Sequence, residues 1–251
     1  MTARLRHIID IVMVTVLLAG LAVLLMHCRQ QRRTVTCTAL SVEILDQHEF
    51  VTQEDIERFL VRNYGNYIGQ RIDSIGLSRI ENLLESRSII MESEAWTTQD
   101  GILHVSIVQR APAVRFQRGS DGFYMDETGF TFPLHSRYTA DVPLIEGEIP
   151  MIDSGDDTVW RDGILELVRY VARSRAWKDR IESMKVDAGG DISIRFKDIR
   201  ERFIIGQPED IPAKFARIDR YISRIQPTVG EGYYKSVNVK YNNQSICRKD
   251  I

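Results

Sequence analysis

Ile102-Leu103-His104-Val105-Ser106-Ile107-Val108-Gln109-Arg110-Ala111-Pro112-Ala113 is the stretch on which the reading of this chain turns. Its first eight residues read as a β-strand ending at Gln109. Pro112 has no backbone N–H to donate and interrupts the pattern, so a boundary falls just after that strand. Working back, residues 89–96 read as a partner strand, joined to the first by a turn containing Asp100 and Gly101. Before it, Leu77, Ile80, Leu83 and Leu84 share one face of a helix that begins near Asp73 or Ser74. Earlier still, Thr52 and Asp55 have capping-box spacing, and Ile56, Phe59 and Leu60 recur at helical steps until Gly65. Residues 39–45 place Leu40, Val42 and Ile44 on alternate positions, a first strand. The first module is thus strand, helix, helix, strand, strand.

Beyond Pro112 the chain turns strand-rich. Strands read at 113–118 and 123–125, with a turn at Asp121 and Gly122 between them and another over residues 126–129, where Gly129 suits a positive φ. A short strand runs to Phe132 and Pro133, and a loop carries the chain to Val142-Pro143-Leu144-Ile145-Glu146-Gly147. Ile164, Leu167, Val168 and Val171 mark a helix over 158–174. Strands follow at 181–186, 192–197 and 202–205, with Gly189 and Gly190 turning between the first two. Ile211, Phe215, Ile218, Ile222 and Ile225 then predict one long amphipathic helix with Pro212 near its start. Val237, Val239 and Tyr241 alternate with Asn238 and Lys240 in a closing strand.

Ahead of both modules, residues 8–26 are apolar except for Asp10, Thr15 and Gly20. A helix of that length reaches about 28 Å, near the roughly 30 Å hydrocarbon core of a bilayer. Arg4 and Arg6 before the run, and Arg29, Arg32 and Arg33 after it, can snorkel to headgroups. A cleaved signal peptide needs small residues before the cut, yet the run closes on Leu25, Met26, His27 and Cys28. A lipoprotein needs a small residue before its cysteine, and His27 stands there. The expectation is a retained transmembrane helix, whose orientation the flanking arginines leave undecided.

Net charge is -2, from 33 basic and 35 acidic residues, with no long basic block outside the helix flank, so nucleic-acid binding is not indicated. Three cysteines, Cys28, Cys37 and Cys247, share no short spacing and are expected to be free thiols rather than a disulfide or metal framework. No Ser-x-x-Lys, Gly-x-Ser-x-Gly or His-Glu-x-x-His occurs, and no glycine-rich phosphate loop precedes a helix. Asp126 and Glu127 are the most tempting carboxylate pair, but neighbours on a strand end point apart, and with Thr128 and Gly129 they read as turn formers. Neither enzymatic activity nor a cofactor is expected.

Taken together, these pieces resemble a known family. The anchor and the β-α-α-β-β module resemble a POTRA domain behind a signal anchor. The segment Ile107-Val108-Gln109-Arg110-Ala111-Pro112-Ala113 resembles the exit from that domain in the bacterial cell-division family FtsQ/DivIB. Tyr124-Met125-Asp126-Glu127-Thr128-Gly129-Phe130-Thr131-Phe132-Pro133, Val142-Pro143-Leu144-Ile145-Glu146-Gly147 and Val237-Asn238-Val239-Lys240-Tyr241 resemble further blocks of the family in their order. The resemblance implies an α+β protein: a cytoplasmic tail (1–7), a transmembrane helix (8–26), a linker (27–36), a POTRA-like domain (37–110) and a β-rich domain with two helices (111–251). It implies a bitopic scaffold of the divisome in the inner membrane at the septum, with both domains periplasmic or otherwise outside the cytoplasm.

The family receives an FtsB and FtsL pair at its last strand and other membrane division proteins at its POTRA domain. An unpaired sheet edge offers N–H and C=O groups to an incoming strand, and the closing strand here has no proline to prevent this. The candidate partner-binding residues are Lys240, Tyr241, Asn243, Ser245, Ile246, Cys247 and Arg248, with Tyr241 the expected anchor. On the residues alone, Tyr241 packing within the sheet ahead of a frayed tail is the simpler reading; the resemblance favours binding. Two other functions stay open at this point: a POTRA protein of outer-membrane assembly or secretion, and a cell-wall enzyme whose site is assembled only in three dimensions.

Overall fold

The computed structural model describes residues 3–32, 35–150, 158–242 and 244–249, with side chains described over 12–26 and from 35 onward within those bounds. The chain divides into two compact units, Met1–Gln109 and Arg110–Ile251.

In the first unit, α1 spans Ala3–Arg32. Residues 12–26 of the expected membrane span are exposed throughout, and residues 8–11 lie outside the described side chains. Among the described residues no helix is long and apolar enough to cross a membrane. The apolar part described reaches about 22 Å, against a bilayer core of about 30 Å.

After α1 come β1 (Ala39–Ile44), α2 (Gln53–Asn63), a short 3-10 turn (Ile72–Ser74), α3 (Leu77–Glu85), β2 (Ile90–Thr97) and β3 (Ile102–Gln109). The sheet order is β1-β3-β2, with β1 parallel and β2 antiparallel to β3. A parallel pair needs a long crossover, and the two helices supply it. Thr52 caps α2 in the expected box with Asp55. Ile56, Leu60, Ile80 and Leu84 are fully buried with Leu103, Val105 and Ile107. Each such side chain contributes about 1.5 to 3 kcal/mol.

Gln109, 2% exposed, ties the end of β3 to the loop before α2. It accepts from the Val51 N–H at 2.9 Å and donates to Asp46 Oδ1 at 2.8 Å. Along the outer edge of β2, the N–H groups of Ser93 and Ala95 donate to Glu85 (3.1 Å) and Glu81 (2.9 Å). Those two carboxylates lie one helical turn apart on α3, a spacing that matches alternate residues of a strand.

The second unit is a nine-stranded sheet with its helices packed into one core. Its strands are β4 (Pro112–Arg118), β5 (Asp121–Asp126), β6 (Thr131–Pro133), β7 (Leu144–Gly147), β8 (Ile181–Val186), β9 (Ile192–Phe196), β10 (Arg202–Gly206), β11 (Ser236–Asn238) and β12 (Ile246–Arg248). They lie in the order β12-β11-β10-β9-β8-β7-β4-β5-β6. Val114, Phe116, Ile145, Met184, Ile194, Phe196 and Phe203 point inward. They share a core with Ile164, Leu167, Val168 and Val171 of α4 (Thr158–Arg173) and with Ile211, Phe215 and Ile218 of α5 (Ile211–Arg220).

Four expectations are corrected. Residues 144–147, outside every expected strand, form the interior strand β7, parallel to both β4 and β8. Its Gly147 has φ +110, and a Cβ there would meet the Val186 carbonyl oxygen at 2.1 Å. The turn between β4 and β5 falls at Gly119 and Ser120 rather than at Asp121 and Gly122, which already pair with Arg118 and Gln117. The long helix is not uniform: α5 gives way to a π segment, Tyr221–Ile225, and then to α6, Gln226–Val229. This wider turn brings Tyr221 fully into the core and leaves Ile222 and Ile225 half-buried. The fourth correction concerns the closing strand.

Candidate partner-binding edge

The chain does not end on an open strand at residues 237–241. β11 runs parallel to β10, with Arg202, Phe203 and Ile204 opposite Ser236, Val237 and Asn238. Its other side is then covered by β12, which turns back antiparallel and sets Cys247 opposite Val237. Among the described residues the edge at this end of the sheet is therefore Ile246–Arg248, one strand later than the alternation suggested.

Local chemistry ends β11 where it does. The Asn238 side chain accepts the Lys240 N–H at 3.0 Å, a turn that competes with continued pairing. The Val239 N–H donates to the Ile204 carbonyl at 2.9 Å, and its own carbonyl accepts from Arg217 Nε at 2.8 Å. Gly206, at φ +72, permits a close approach, since a Cβ there would lie 2.8 Å from Lys240 Cβ. Lys240 is held by Asp191 at 2.6 Å. That hydrogen bond keeps its ammonium above the usual lysine range.

The loop feeding β11 hangs on one buried carboxylate. Glu201 is fully buried and accepts from the Tyr221 hydroxyl (3.1 Å) and the Gly232 N–H (2.9 Å). Burial, then the charge of Glu201, pushes the Tyr221 phenol well above its ordinary range. Tyr221 in turn packs edge-on against Phe203 of β10, with centroids 5.6 Å apart.

Of the sequence-derived candidates, Ile246, Cys247 and Arg248 lie together on β12. Ile246 is 50% exposed, whereas Cys247 packs toward the core. Burial, then Glu201, raises the Cys247 thiol above its usual range. Cys37 and Cys247 are both free. Ser245 precedes β12 half-buried, while Lys240 and exposed Tyr241 lie in the connection from β11, the lysine 5.3 Å from the centre of the Tyr241 ring. Asn243 lies outside the described residues.

The register also assembles residues that no motif announced. Ser183, Arg195, Arg202, Ser236 and Arg248 stand opposite one another across β8 to β12, on one face of the sheet. The next row on that face carries Lys185, Ser193, Ile204, Asn238 and Ile246. Arg202 has no ion-pair partner among the described residues, and Arg195 has only Glu182 at 4.0 Å. The only sequence sign of this row is arginine at exposed strand positions. Elsewhere in the unit, Asp126 accepts from Thr128 and Phe130 and pairs with Arg110 at 2.9 Å, the expected turn-former. Its neighbour Glu127 pairs separately with Arg169 at 2.6 Å.

What these features define is a two-module α+β protein whose second module ends in a short sheet edge beside a basic sheet face. Residues 111–248 match the family described as FtsQ/DivIB, C-terminal related, and residues 35–108 match the POTRA-like domain. The first match covers more than half of the chain, and the chain belongs to the FtsQ/DivIB family. It is a division-associated POTRA protein, and both families are of a non-enzymatic scaffold type. No curated protein matches the chain.

Proposed function

We propose that this protein is a non-enzymatic, bitopic scaffold of the bacterial divisome that captures an FtsB- and FtsL-type pair by adding a partner strand to β12. The observation that carries this reading is the free edge at Ile246–Arg248, with exposed Ile246 beside it. Three or four added backbone hydrogen bonds contribute about 0.5 to 1.5 kcal/mol each, offset by the cost of ordering the partner. Side chains must therefore add affinity. Ile246 supplies an apolar contact, and the row of Arg248, Arg202 and Arg195 favours carboxylates on the incoming strand. Tyr241 contributes at the end of the edge.

The apolar run at 8–26 anchors the chain in the cytoplasmic membrane, with residue 1 inside and both units outside the cytoplasm at the septum. Its exposed side chains in residues 12–26 make an apolar surface that needs lipid or protein cover, which supports this placement. The first unit docks other membrane division proteins.

Deleting residues 244–251 from the full chain tests the reading. Capture of the FtsB- and FtsL-type pair is expected to be lost, with the thermal transition of the folded units retained. Ile246→Glu is expected to weaken capture by about tenfold, equal to about 1.4 kcal/mol. Undiminished capture by the folded, truncated chain would sink the assignment.

A further inference from the structure

The two ends of this chain differ sharply in charge. Residues 35–109 carry 12 carboxylate side chains against 5 arginines and no lysine. All five arginines lie outside the strands: Arg58 and Arg62 on α2, Arg79 on α3, and Arg71 and Arg87 beside the helices. The face of the sheet turned away from the helices therefore has carboxylates and no fixed cation.

The register places them. Glu43 of β1 stands opposite Ser106 of β3, which stands opposite Glu94 of β2. Strands lie about 4.8 Å apart, so these two glutamates flank Ser106 with about 10 Å between their Cα atoms. Glu92 lies in the next row, opposite Val108. None of the three has an ion-pair partner among the described residues. Ser106 is only 8% exposed, yet its hydroxyl makes no hydrogen bond among the described residues. One row the other way, Trp96 is 37% exposed and stacks on His104, with centroids 5.2 Å apart and planes 7° from parallel.

We infer that this face of the first unit is the docking surface for a lysine- or arginine-bearing segment of a partner protein. A cation seated over Ser106 meets a carboxylate on either side and a free hydroxyl beneath it. A second basic side chain along the segment stacks on Trp96, whose ring face attracts cations. A bound metal ion is the weaker fit, because no group of three acidic or histidine ligands gathers among the described residues. Anionic lipid is repelled by the same charge. The β12 edge plays no part here, so the two assignments stand or fall separately.

The probe is a labelled decapeptide of alternating lysine and valine, titrated onto the full chain in detergent and followed by fluorescence anisotropy. It is expected to bind in preference to the matched glutamate and valine peptide, more weakly as salt rises. Replacing Glu43, Glu92 and Glu94 by glutamine together is expected to weaken binding at least about tenfold. The same replacement of Glu49, Glu54 and Glu57, which removes equal charge elsewhere on the unit, is expected to change it less than about twofold. Glu94→Lys alone repeats the test should the triple variant melt early. Equal losses from both triples, or no preference for the basic peptide, would overturn the inference. So would concentration-dependent self-association that only the sheet-face triple abolishes, since the occupant would then be a second copy of this chain. Capture at β12 is expected to be unchanged in every one of these variants.

Discussion

At the β2 edge of the first unit, Glu81 and Glu85 reach from α3 and take the N–H groups of Ala95 and Ser93, while at β12 no side chain of the described residues does the same. Both edges carry charge, and only one has its backbone donors occupied. Exposed strand edges invite pairing, and the usual remedies are proline, charge, a bulge or a cover. The far end of the nine-stranded sheet follows the rule, since β6 is three residues long and includes Pro133. β12 is equally short but has no proline and keeps Ile246 exposed. An edge left open where β2 is capped by carboxylates and β6 is shortened by a proline is the physical ground for assigning it to a partner.

Removing the support of the open edge should have the largest effect. Glu201→Ala leaves the buried Tyr221 hydroxyl without an acceptor and releases the Gly232 N–H, at a cost of about 3 kcal/mol. Urea unfolding of the second unit should show that loss, and amide exchange should rise first over the 230–238 segment. Glu201→Gln, which keeps one acceptor, should lose less than half as much. Equal losses would show that charge rather than hydrogen bonding holds the loop.

Alkali should weaken the first unit through a different group. Burial, then Glu57 and Cys37, pushes the Tyr67 phenol up to about 12 in the folded chain, from about 10 unfolded. A raised folded pKa means that the stabilisation is whole below pH 10 and is lost as pH climbs through 12. About 2.5 kcal/mol should disappear from the first unit over that window, and Tyr67→Phe should remove the dependence. An unchanged urea midpoint between about pH 9 and pH 11.5 would contradict this.

Opening the closed edge is the next smaller change. Glu81→Ala with Glu85→Ala frees two strand donors and should cost the first unit about 2 kcal/mol. It should also make the chain self-associate in sedimentation, because β2 then offers what β12 offers. A monomeric double variant of unchanged stability would show that the carboxylates are incidental.

Much of this was legible from local pattern. The capping box at Thr52, the boundary between Gln109 and Pro112 and the buried stripe of α4 each depend on residues within a few positions of one another. What escaped depends on distant partners. β7 has four residues behind a proline, too few to show alternation, and becomes a strand because β4 and β8 lie on either side. β12 has three and is defined only by β11. The π turn follows from Tyr221 reaching Glu201, twenty positions earlier. Glu81 and Glu85 read as ordinary surface residues of α3 until β2 is folded against them. Alternation located the end of the sheet to within one strand, and only pairing shows which strand is outermost.

The smallest effect tests that last point without disturbing either fold. Cys37 is 1% exposed just before β1 in the first unit, and Cys247 is half-buried on β12. Burial raises both thiols, so neither has much thiolate near neutral pH, and accessibility rather than acidity separates them. In a Cys28→Ser background, iodoacetamide should modify Cys247 at least about tenfold faster than Cys37, because an open edge of three residues frays far more readily than a buried strand approach. Adding the FtsB- and FtsL-type pair should slow Cys247 alone, since an added strand converts β12 from an edge into an interior strand. Slowing of both thiols would indicate general protection, and slowing of neither would place the partner away from this edge.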